Sequence, residues 1–294
     1  MADNALQLAK VYARTGLPIL KEELILGRLV HRDAEREFSG GVGTVVNIKT
    51  PGSLTARETT LKNKTPITTD TVTEGTIAVQ IDKHIYSAVD MTEEDTNLNI
   101  EDFGAQILAP QVQAVADKVE ANLSAEINKI SAGAGALTMT AADPKTAYLA
   151  IKNAGIALDK KRVTRTGRIM VISPDVLSIL LELDKLTDLD KSGESGALRD
   201  AMVGQLSGFK LYVSNNVNGA VGFVRETFAL VVRAPRKPEG APFAASADGN
   251  GYALRYLRDY NSDTLTDRSI VSTLMGVTTL DANRAVGLKI TAGA

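Results

Sequence analysis

Residues 77–89 form the most informative stretch of this chain and read Ile-Ala-Val-Gln-Ile-Asp-Lys-His-Ile-Tyr-Ser-Ala-Val. Their large apolar side chains stand at even spacings, at Ile77, Val79, Ile81, Ile85 and Val89. Because successive side chains of a strand point to opposite faces, this spacing predicts one long β-strand. An unbroken strand here would extend ~43 Å at ~3.3 Å per residue, whereas strands of globular domains usually have ~3–10 residues. The stretch therefore predicts a strand that reaches beyond a compact body.

The residues before this stretch predict the other arm of a hairpin. Thr44-Val45-Val46-Asn47-Ile48 is typical of a strand, and Pro51-Gly52 ends it. From Leu54 to Thr73 the chain is polar and rich in Thr, with apolar residues too scattered to bind it to a core. A compact domain rarely keeps a loop of ~20 residues without a function for it, so we expect a hairpin that projects from the body.

Two helices flank the hairpin in sequence. Pro18 suits a helix start, and the i,i+4 apolar pairs that follow predict a short helix over 18–30. A much longer helix is predicted from Pro110 to Ser131, because apolar residues recur at spacings of 3, 4, 4, 4 and 3 at Val112, Val115, Val119, Leu123, Ile127 and Ile130. Phe103 and Ile107 extend this pattern upstream of a kink at the proline. Small residues at 131–135 mark the best candidate domain boundary.

The second half of the chain alternates between predicted helices and strands. The patterns indicate helices over 145–159, from Ser173-Pro174 onward and over 198–206. They indicate buried strands over 168–172, 208–213 and 228–232. The run 235–251, rich in Pro and Gly, predicts an exposed loop. The strand-like tail, 252–290, is expected to return the chain to the first domain.

Composition narrows the classes of function. The 294 residues include 33 Lys and Arg against 35 Asp and Glu, which gives a formal net charge of −2. Dedicated nucleic-acid readers carry a concentrated basic patch, so this balance argues against one. The absence of Cys excludes thiolate chemistry and argues against a structural zinc site. No run approaches the ~18 apolar residues of a membrane span, and we expect no membrane partner.

Catalytic templates find little support in the residues. A Ser-His-Asp arrangement would need His31 or His84 as its base, but no Gly-x-Ser-x-Gly elbow accompanies them. His31 follows a predicted helix end, where a cation suits the helix dipole, and His84 lies within the long strand. The structural interpretation is favoured for both histidines.

Phosphate and metal motifs are equally weak. Gly40-Gly41-Val42-Gly43-Thr44 lacks the Gly-Lys-Ser/Thr ending of a phosphate loop and precedes a strand instead of following one. A calcium loop beginning at Asp188, Asp190, Ser192 and Gly193 would place Arg199 where a bidentate Glu is required. The run Glu93-Glu94-Asp95 is typical of a solvated face, and Asp248-Gly249-Asn250-Gly251 is typical of a turn. We therefore expect no catalytic residue, cofactor or metal.

Four segments resemble a known family. Gly204-Gln-Leu-Ser-Gly-Phe-Lys-Leu-Tyr-Val-Ser-Asn-Asn216 resembles a recurring stretch of phage major capsid proteins, in which a Gly-x-Leu/Ile-x-Gly-Phe turn leads into a strand ending in Ser-Asn. Three other segments also resemble stretches of that family: Val171-Ile172-Ser173-Pro174-Asp175, Phe228-Ala229-Leu230 and the closing stretch from Arg258 to Leu288. The order of elements matches over nearly the whole chain.

This resemblance implies an α+β fold of the Hong Kong 97 type, with an N-arm, an extended β-hairpin loop, a long spine helix, a peripheral domain and an α/β axial domain. It implies an N-terminal arm over 1–37 and an extended loop with flanking strands over 38–90. The peripheral domain with the spine helix would comprise 91–140 plus 265–294, and the axial domain 141–264.

The implied function is that of a major capsid protein, a structural protein of the virion with no enzymatic role. Pentamers and hexamers would form an icosahedral head around double-stranded DNA, assembled in the host cytoplasm. A portal, separate scaffolding or decoration proteins and DNA held by non-specific proximity are the implied partners. The extended loop would contact a neighbouring subunit through Arg57, Leu61, Lys62, Lys64 and Ile67.

Three questions stay open at this stage. Cross-linking members of the family join a loop Lys to an Asn with the help of a Glu; Lys62 and Lys64 lie on the loop, but the other two groups cannot be placed, so cross-linking is not predicted. An encapsulin, a bacterial compartment with the same fold, is an alternative function. A cytosolic α/β enzyme using carboxylates within 141–264 is a more remote one.

Overall fold

The structure of the chain is a computed structural model that describes residues 2–32, 45–50, 54, 56–58, 69–71, 75–92, 103–133, 136–140, 144–181, 202–241, 243–249 and 252–291. Its α-helices are α1 (Ala2–Glu23), α2 (Leu26–Leu29), α3 (Ala109–Ala132), α4 (Pro144–Lys160) and α5 (Pro174–Leu181). Over this part of the chain, no helix is long and apolar enough to cross a membrane.

The strands in the described part of the chain form three sheets. The smallest pairs β1 (Val45–Thr50) with β2 (Gly75–Gln80). The second has the order β10 (Phe243–Gly249), β11 (Tyr252–Asn261), β12 (Thr266–Thr279), β3 (Lys83–Thr92), and β9 (Phe228–Arg233) also pairs with β12. The third has the order β4 (Leu137–Thr140), β13 (Ala285–Thr291), β8 (Ala220–Val224), β5 (Arg168–Ile172), β7 (Phe209–Val213), β6 (Met202–Leu206).

The long helix predicted from its apolar spacing is confirmed as α3. Its apolar stripe is almost completely removed from solvent, with exposures of 1% or less at Val112, Val115, Val119, Leu123 and Ile127. These side chains share one core with α1, β3, β8 and β11. The extension through Phe103 and Ile107 is confirmed as well, as a π-helical turn over Gly104–Leu108 that continues directly into α3.

The six-stranded sheet lies between two apolar layers. On one face, Val171, Val221 and Phe223 belong to the core that contains α3. On the other face, Met170 and Ile172 pack with the buried side chains of α4 and α5. A strand buried on both faces gives a continuous apolar run, which is why β5 was predicted at its observed bounds.

The start of α5 is also confirmed. The Val176 backbone N–H donates to Ser173 Oγ at 3.4 Å, and Pro174 occupies the first position of the helix. Ser173 therefore caps the helix as its type and position predict.

The unbroken strand predicted over 77–89 is wrong. β2 ends at Gln80 and pairs with β1, whereas β3 begins at Lys83 and pairs with β12. The connecting backbone of Gln80 and Ile81 crosses β12 at Gly276, so closely that no side chain fits there. Because both strands bury odd-numbered residues, Val79 and Ile85 among them, the period of two continues across the break and conceals it.

The helix start at Pro18 is also wrong. α1 begins at Ala2 and contains Pro18, and a separate short helix, α2, follows at Leu26. Proline favours the first turn of a helix but is tolerated in an interior where packing outweighs its missing N–H. Here Ala13 and Leu20, on either side of the proline, are buried against the main core.

The helix predicted over 198–206 is wrong over its described part, because Met202–Leu206 is strand β6. β6 pairs antiparallel with β7 through a tight turn in which Ser207 and Gly208 both have positive φ, at 51° and 86°. The periodicity of a short apolar run does not distinguish a strand from a helix. The tight turn at Ser207 and Gly208 was the feature of the sequence that indicated a strand pair.

The loop predicted over 235–251 is wrong over 243–249. Phe243–Gly249 forms β10, which pairs antiparallel with β11 from Phe243↔Arg258 to Gly249↔Tyr252. Ala and Gly dominate this segment and are depleted in strands generally, so β10 follows from its neighbour in the sheet and not from local preference.

The tail divides between the two large sheets. β11 and β12 lie beside β3, as the expected return to the first part of the chain requires. β13 instead enters the six-stranded sheet, antiparallel to β8 and parallel to β4. It passes α3 at Gly287, where a Cβ would overlap the carbonyl oxygen of Ile130.

The buried side chain of Glu120 holds the start of α2 against α3. Glu120, 6% exposed, accepts hydrogen bonds from the backbone N–H groups of Leu26 and Gly27, both at 3.1 Å. Burial raises the pKa of Glu120 to about 7, although the two N–H donors act in the opposite direction. Asp117 further raises this pKa and Arg28 lowers it. The contact joins segments of the chain 93 residues apart.

Glu120→Gln should alter how stability depends on pH. The folded chain keeps a proton on Glu120 up to a higher pH than the unfolded chain does, so this group lowers the free energy of unfolding as pH rises from 4.5 to about 7. Gln does not titrate, and we expect the stability of the variant relative to the parent to rise across this window, by on the order of 3 kcal/mol. Urea denaturation curves followed by circular dichroism at several pH values measure it. Parallel pH profiles for the two proteins would contradict the role given to Glu120.

Gly276→Ala should destabilise the crossing of β12 by the chain between β2 and β3. The added Cβ would overlap the backbone carbonyl oxygen of Gln80, which cannot rotate away, and overpacking of this kind costs about 1–3 kcal/mol. Gly240→Ala is a matched control, because its Cβ would meet nothing within 4 Å. The urea midpoint should fall for Gly276→Ala and stay at the parent value for Gly240→Ala. Equal midpoints for both variants would show that the crossing tolerates a side chain.

Candidate assembly surfaces

The hairpin predicted from residues 44–89 is present, formed by β1 and β2. Its strands pair antiparallel from Val45↔Gln80 to Thr50↔Gly75. Val79 anchors its base in a small apolar cluster with Ala229 and Val231 of β9. The other described side chains of β1 and β2 are exposed or half-buried. Such a hairpin has almost no core of its own.

Among the predicted contact residues, the structure describes Arg57. Its side chain is 47% exposed and forms an ion pair with Asp70 on the other side of the loop. Leu61, Lys62, Lys64 and Ile67 lie outside the described residues. Sequence reasoning missed Asp70; the available signal was a pair of opposite charges on the two arms of one polar loop.

The two histidines lie in different settings. The backbone of His31 bridges to β9, since its N–H donates to the carbonyl of Phe228 at 2.9 Å and its carbonyl accepts from Leu230 at 3.0 Å. His84 lies exposed on β3, with its ring 6.2 Å from that of Tyr86. Partial burial and the nearby charge of Arg255 lower the pKa of His84.

The other candidate motifs are described only in part. Asp248 and Gly249 are strand residues of β10 and do not form the predicted turn themselves. Asn250 and Gly251, Gly40–Thr44, Glu93–Asp95 and the segment from Asp188 to Arg199 lie outside the described residues. Within the part that the structure describes, no group of three or more His, Asp or Glu side chains is placed to hold a metal ion.

A cleft of about 470 Å³ lies between the end of α3, the start of α5 and β13. Asn128 crosses it, donating to the carbonyl of Asn216 at 3.0 Å and accepting from the N–H of Asn218 at 2.9 Å. Ser131 Oγ donates to the carbonyl of Asn128, and Ser173 caps α5. Asn128 holds the connection between β7 and β8 onto α3, and Ser131 and Ser173 bond within or at the start of a helix, so these hydrogen bonds serve the fold.

A charged turn follows α4, and we call residues 160–167 the basic turn. Arg168, 4% exposed, donates to the carbonyls of Gly155, Val163 and Thr164 at 3.2, 2.7 and 2.9 Å. It also donates to Asp159 Oδ1 at 2.7 Å. A buried guanidinium thus fixes the path of the turn, using the fork of donors that Arg supplies.

Asp159 is held by two arginines. Arg165 donates to its two carboxylate oxygens at 3.2 and 2.6 Å, and Arg168 adds a third bond. Hydrogen bonds from Arg165 and then Arg168 lower the pKa of Asp159 to about 2. Sequence analysis did not single out this group, although Lys160-Lys161-Arg162 with Arg165 is a visible concentration of charge.

Comparisons with known proteins agree with this architecture. The family described as "P22 coat protein - gene protein 5" matches residues 1–231. A search of curated proteins found no match.

Solved structures share the fold at low sequence identity. The chain is similar to one of Mycobacterium phage Che8, with a TM-score of 0.62 and 18% identity over 90% of each chain. The mature capsid of bacteriophage PhiM1 gives a TM-score of 0.58 and 18% identity over 85% of this chain and 82% of that one. A virus-like particle from Pyrococcus furiosus gives a TM-score of 0.52 and 13% identity over 94% and 98%. These likenesses confirm the expected phage-capsid fold.

The family match covers residues 1–231, which is most of the chain, and the fold agrees over 90% of the chain. The chain therefore belongs to the P22 coat protein family, and it is a tailed-phage major capsid protein.

Proposed function

We propose that the chain assembles into pentamers and hexamers that form an icosahedral phage head around double-stranded DNA. The observation that carries this proposal is the hairpin of β1 and β2 on a fold shared with phage capsids. Of its described side chains only Val79 is buried, Ile48 packs beside it in the same small cluster, and most of the others are exposed. Such a surface is stabilised when a neighbouring copy covers it.

The loop of the hairpin is the proposed contact with that neighbour. Leu54 is 65% exposed and Val45 is 42% exposed, so both strand and loop offer apolar surface. Arg57 would act with Leu61, Lys62, Lys64 and Ile67 against the adjacent subunit. The ion pair of Arg57 with Asp70 supports this, because it ties the two arms of the loop together before any neighbour is bound.

The division into domains stays a prediction, and strand pairing favours a modified form of it. Residues 228–279 contribute β9, β10, β11 and β12 to the sheet that contains β3, so we propose that they belong with α3 in the peripheral domain. Residues 285–291 would join 141–224 in the axial domain, because β13 pairs with β8. The N-terminal arm and the extended loop keep the boundaries given above.

Further partners follow from the proposed function. A closed head that is filled with DNA requires a portal, and a separate scaffolding or decoration protein would act on the same shell. The protein would reside in the virion after assembly in the host cytoplasm. An encapsulin-type compartment is distinguished by the contents of the shells, which would be an enzyme cargo in place of DNA.

Deletion of residues 54–72 tests the role of the loop. Five residues, 51–53 and 73–74, would remain between Thr50 and Gly75, which is long enough to close a hairpin and keep β1 paired with β2. We expect a folded, soluble chain that no longer forms shells. Size-exclusion chromatography with circular dichroism reports the folding, and negative-stain electron microscopy reports the shells.

A replacement of residues 54–72 by a Gly/Ser segment of equal length is the matched control for loop length. It should also fail to assemble, since it restores the length without the side chains. Normal shells from either variant would overturn the proposed role of the loop.

A further inference from the structure

The basic turn concentrates positive charge in a chain whose net charge is slightly negative. Between residues 159 and 168 there are five cations, Lys160, Lys161, Arg162, Arg165 and Arg168, against the single anion Asp159. The segment therefore carries a charge of +4, whereas the whole chain carries −2. The remaining residues together therefore carry a net charge of −6.

Hydrogen bonds fix the conformation of the basic turn. Arg168 is buried beneath it and binds three of the surrounding carbonyls as well as Asp159. Arg165 neutralises the remaining carboxylate oxygen of Asp159. Because these two arginines already hold the one acidic group, the charges of Lys160 and Arg162 are left uncompensated within the turn.

The charged groups of Lys160 and Arg162 have no protein partner in the described part of the chain. Lys160 and Arg162 are exposed, and among the described carboxylates neither has one within ion-pair distance. Lys161 donates to the carbonyl of Ala285 at 3.2 Å, which leaves its charge intact. A cation at a helix C-terminus favours the helix dipole, but this accounts for Lys160 and not for Arg162, which lies beyond the helix with a φ of 58°.

The chemistry of the turn indicates the kind of partner. Interfaces between proteins are built around apolar side chains, yet the only apolar residue of the turn, Val163, is half-buried against the α4 core. Exposed Lys and Arg side chains typically contact the phosphates of a nucleic acid without recognising its sequence.

We propose that the basic turn contacts the phosphate backbone of the packaged double-stranded DNA. This inference rests on the proposed function and adds to it the surface of the subunit that faces DNA. The contact of one subunit is weak, with Lys160 and Arg162 each neutralising a phosphate. Many copies in one shell make the sum large without any sequence preference.

A double variant, Lys160→Ala with Arg162→Ala, tests the contact and leaves Arg165 and Arg168 in place to hold the turn. Lys118→Ala with Lys237→Ala is the matched control, because both lysines are exposed and the loss of charge is equal. Binding of each full-length protein to a labelled 30-base-pair duplex of random sequence is measured by fluorescence anisotropy across a salt series.

Loss of two phosphate contacts should reduce the slope of log K against log salt by about 1.8, at about 0.9 per contact. Affinity at low salt should fall at least tenfold in the double variant and change little in the control. An unchanged slope, or an equal loss in the control, would overturn the proposal.

Electron microscopy of the same proteins separates this proposal from the proposed function. The double variant should still form shells if the turn faces DNA. Failure to assemble with undiminished binding to the duplex would overturn the proposal and assign the turn to contacts between copies. If the parent protein forms no shells under any condition, the proposed function fails, whereas the salt dependence of DNA binding still decides whether the turn binds phosphate.

Discussion

The packing of α3 against both large sheets is the constraint on which the rest of the structure depends. Its buried stripe shares a core with β3 and β11 of one sheet and with β5 and β8 of the other. Burial of each large aliphatic side chain contributes roughly 1.5–3 kcal/mol, so a stripe shared in this way couples the two sheets. Two other contacts require the same placement of α3, namely the bonds of Glu120 to Leu26 and Gly27 and the passage of Gly287 beside Ile130.

This arrangement leaves two kinds of surface outside the shared core. The hairpin contacts the body through Val79 and Ile48 in one small apolar cluster and through the backbone of Gln80 beside Gly276. Its conformation otherwise depends on the pairing of β1 with β2. The basic turn, in contrast, is fixed by the buried guanidinium of Arg168. A surface that must adapt to neighbours in different symmetry environments is served by the first kind of attachment. A surface that presents charge at a constant position is served by the second.

Local rules predicted those parts of the fold in which local and tertiary preferences agree. α3 was predicted from the spacing of Val112 to Ile130, and the start of α5 from Ser173 and Pro174, because periodicity and capping act within a few residues. The division between β2 and β3 was not predictable, since Gly276, which permits it, lies almost 200 residues away. The predictions for the segments of β6 and β10 were wrong for the same reason, because their strand conformation comes from pairing with β7 and β11.

The candidate surfaces also divide into features that local sequence predicts and features that depend on tertiary contacts. The hairpin was predictable because its long polar loop lacks apolar periodicity, and that lack is a local property. The pairing of Arg57 with Asp70 and the fixing of Asp159 by Arg165 and Arg168 are spatial facts that the overall charge of −2 conceals. A near-neutral net charge excludes a uniformly basic protein, but it does not exclude a basic surface balanced by acidic residues elsewhere. Such a balance suits a shell protein, because a subunit that was basic on every face would be repelled by its own neighbours.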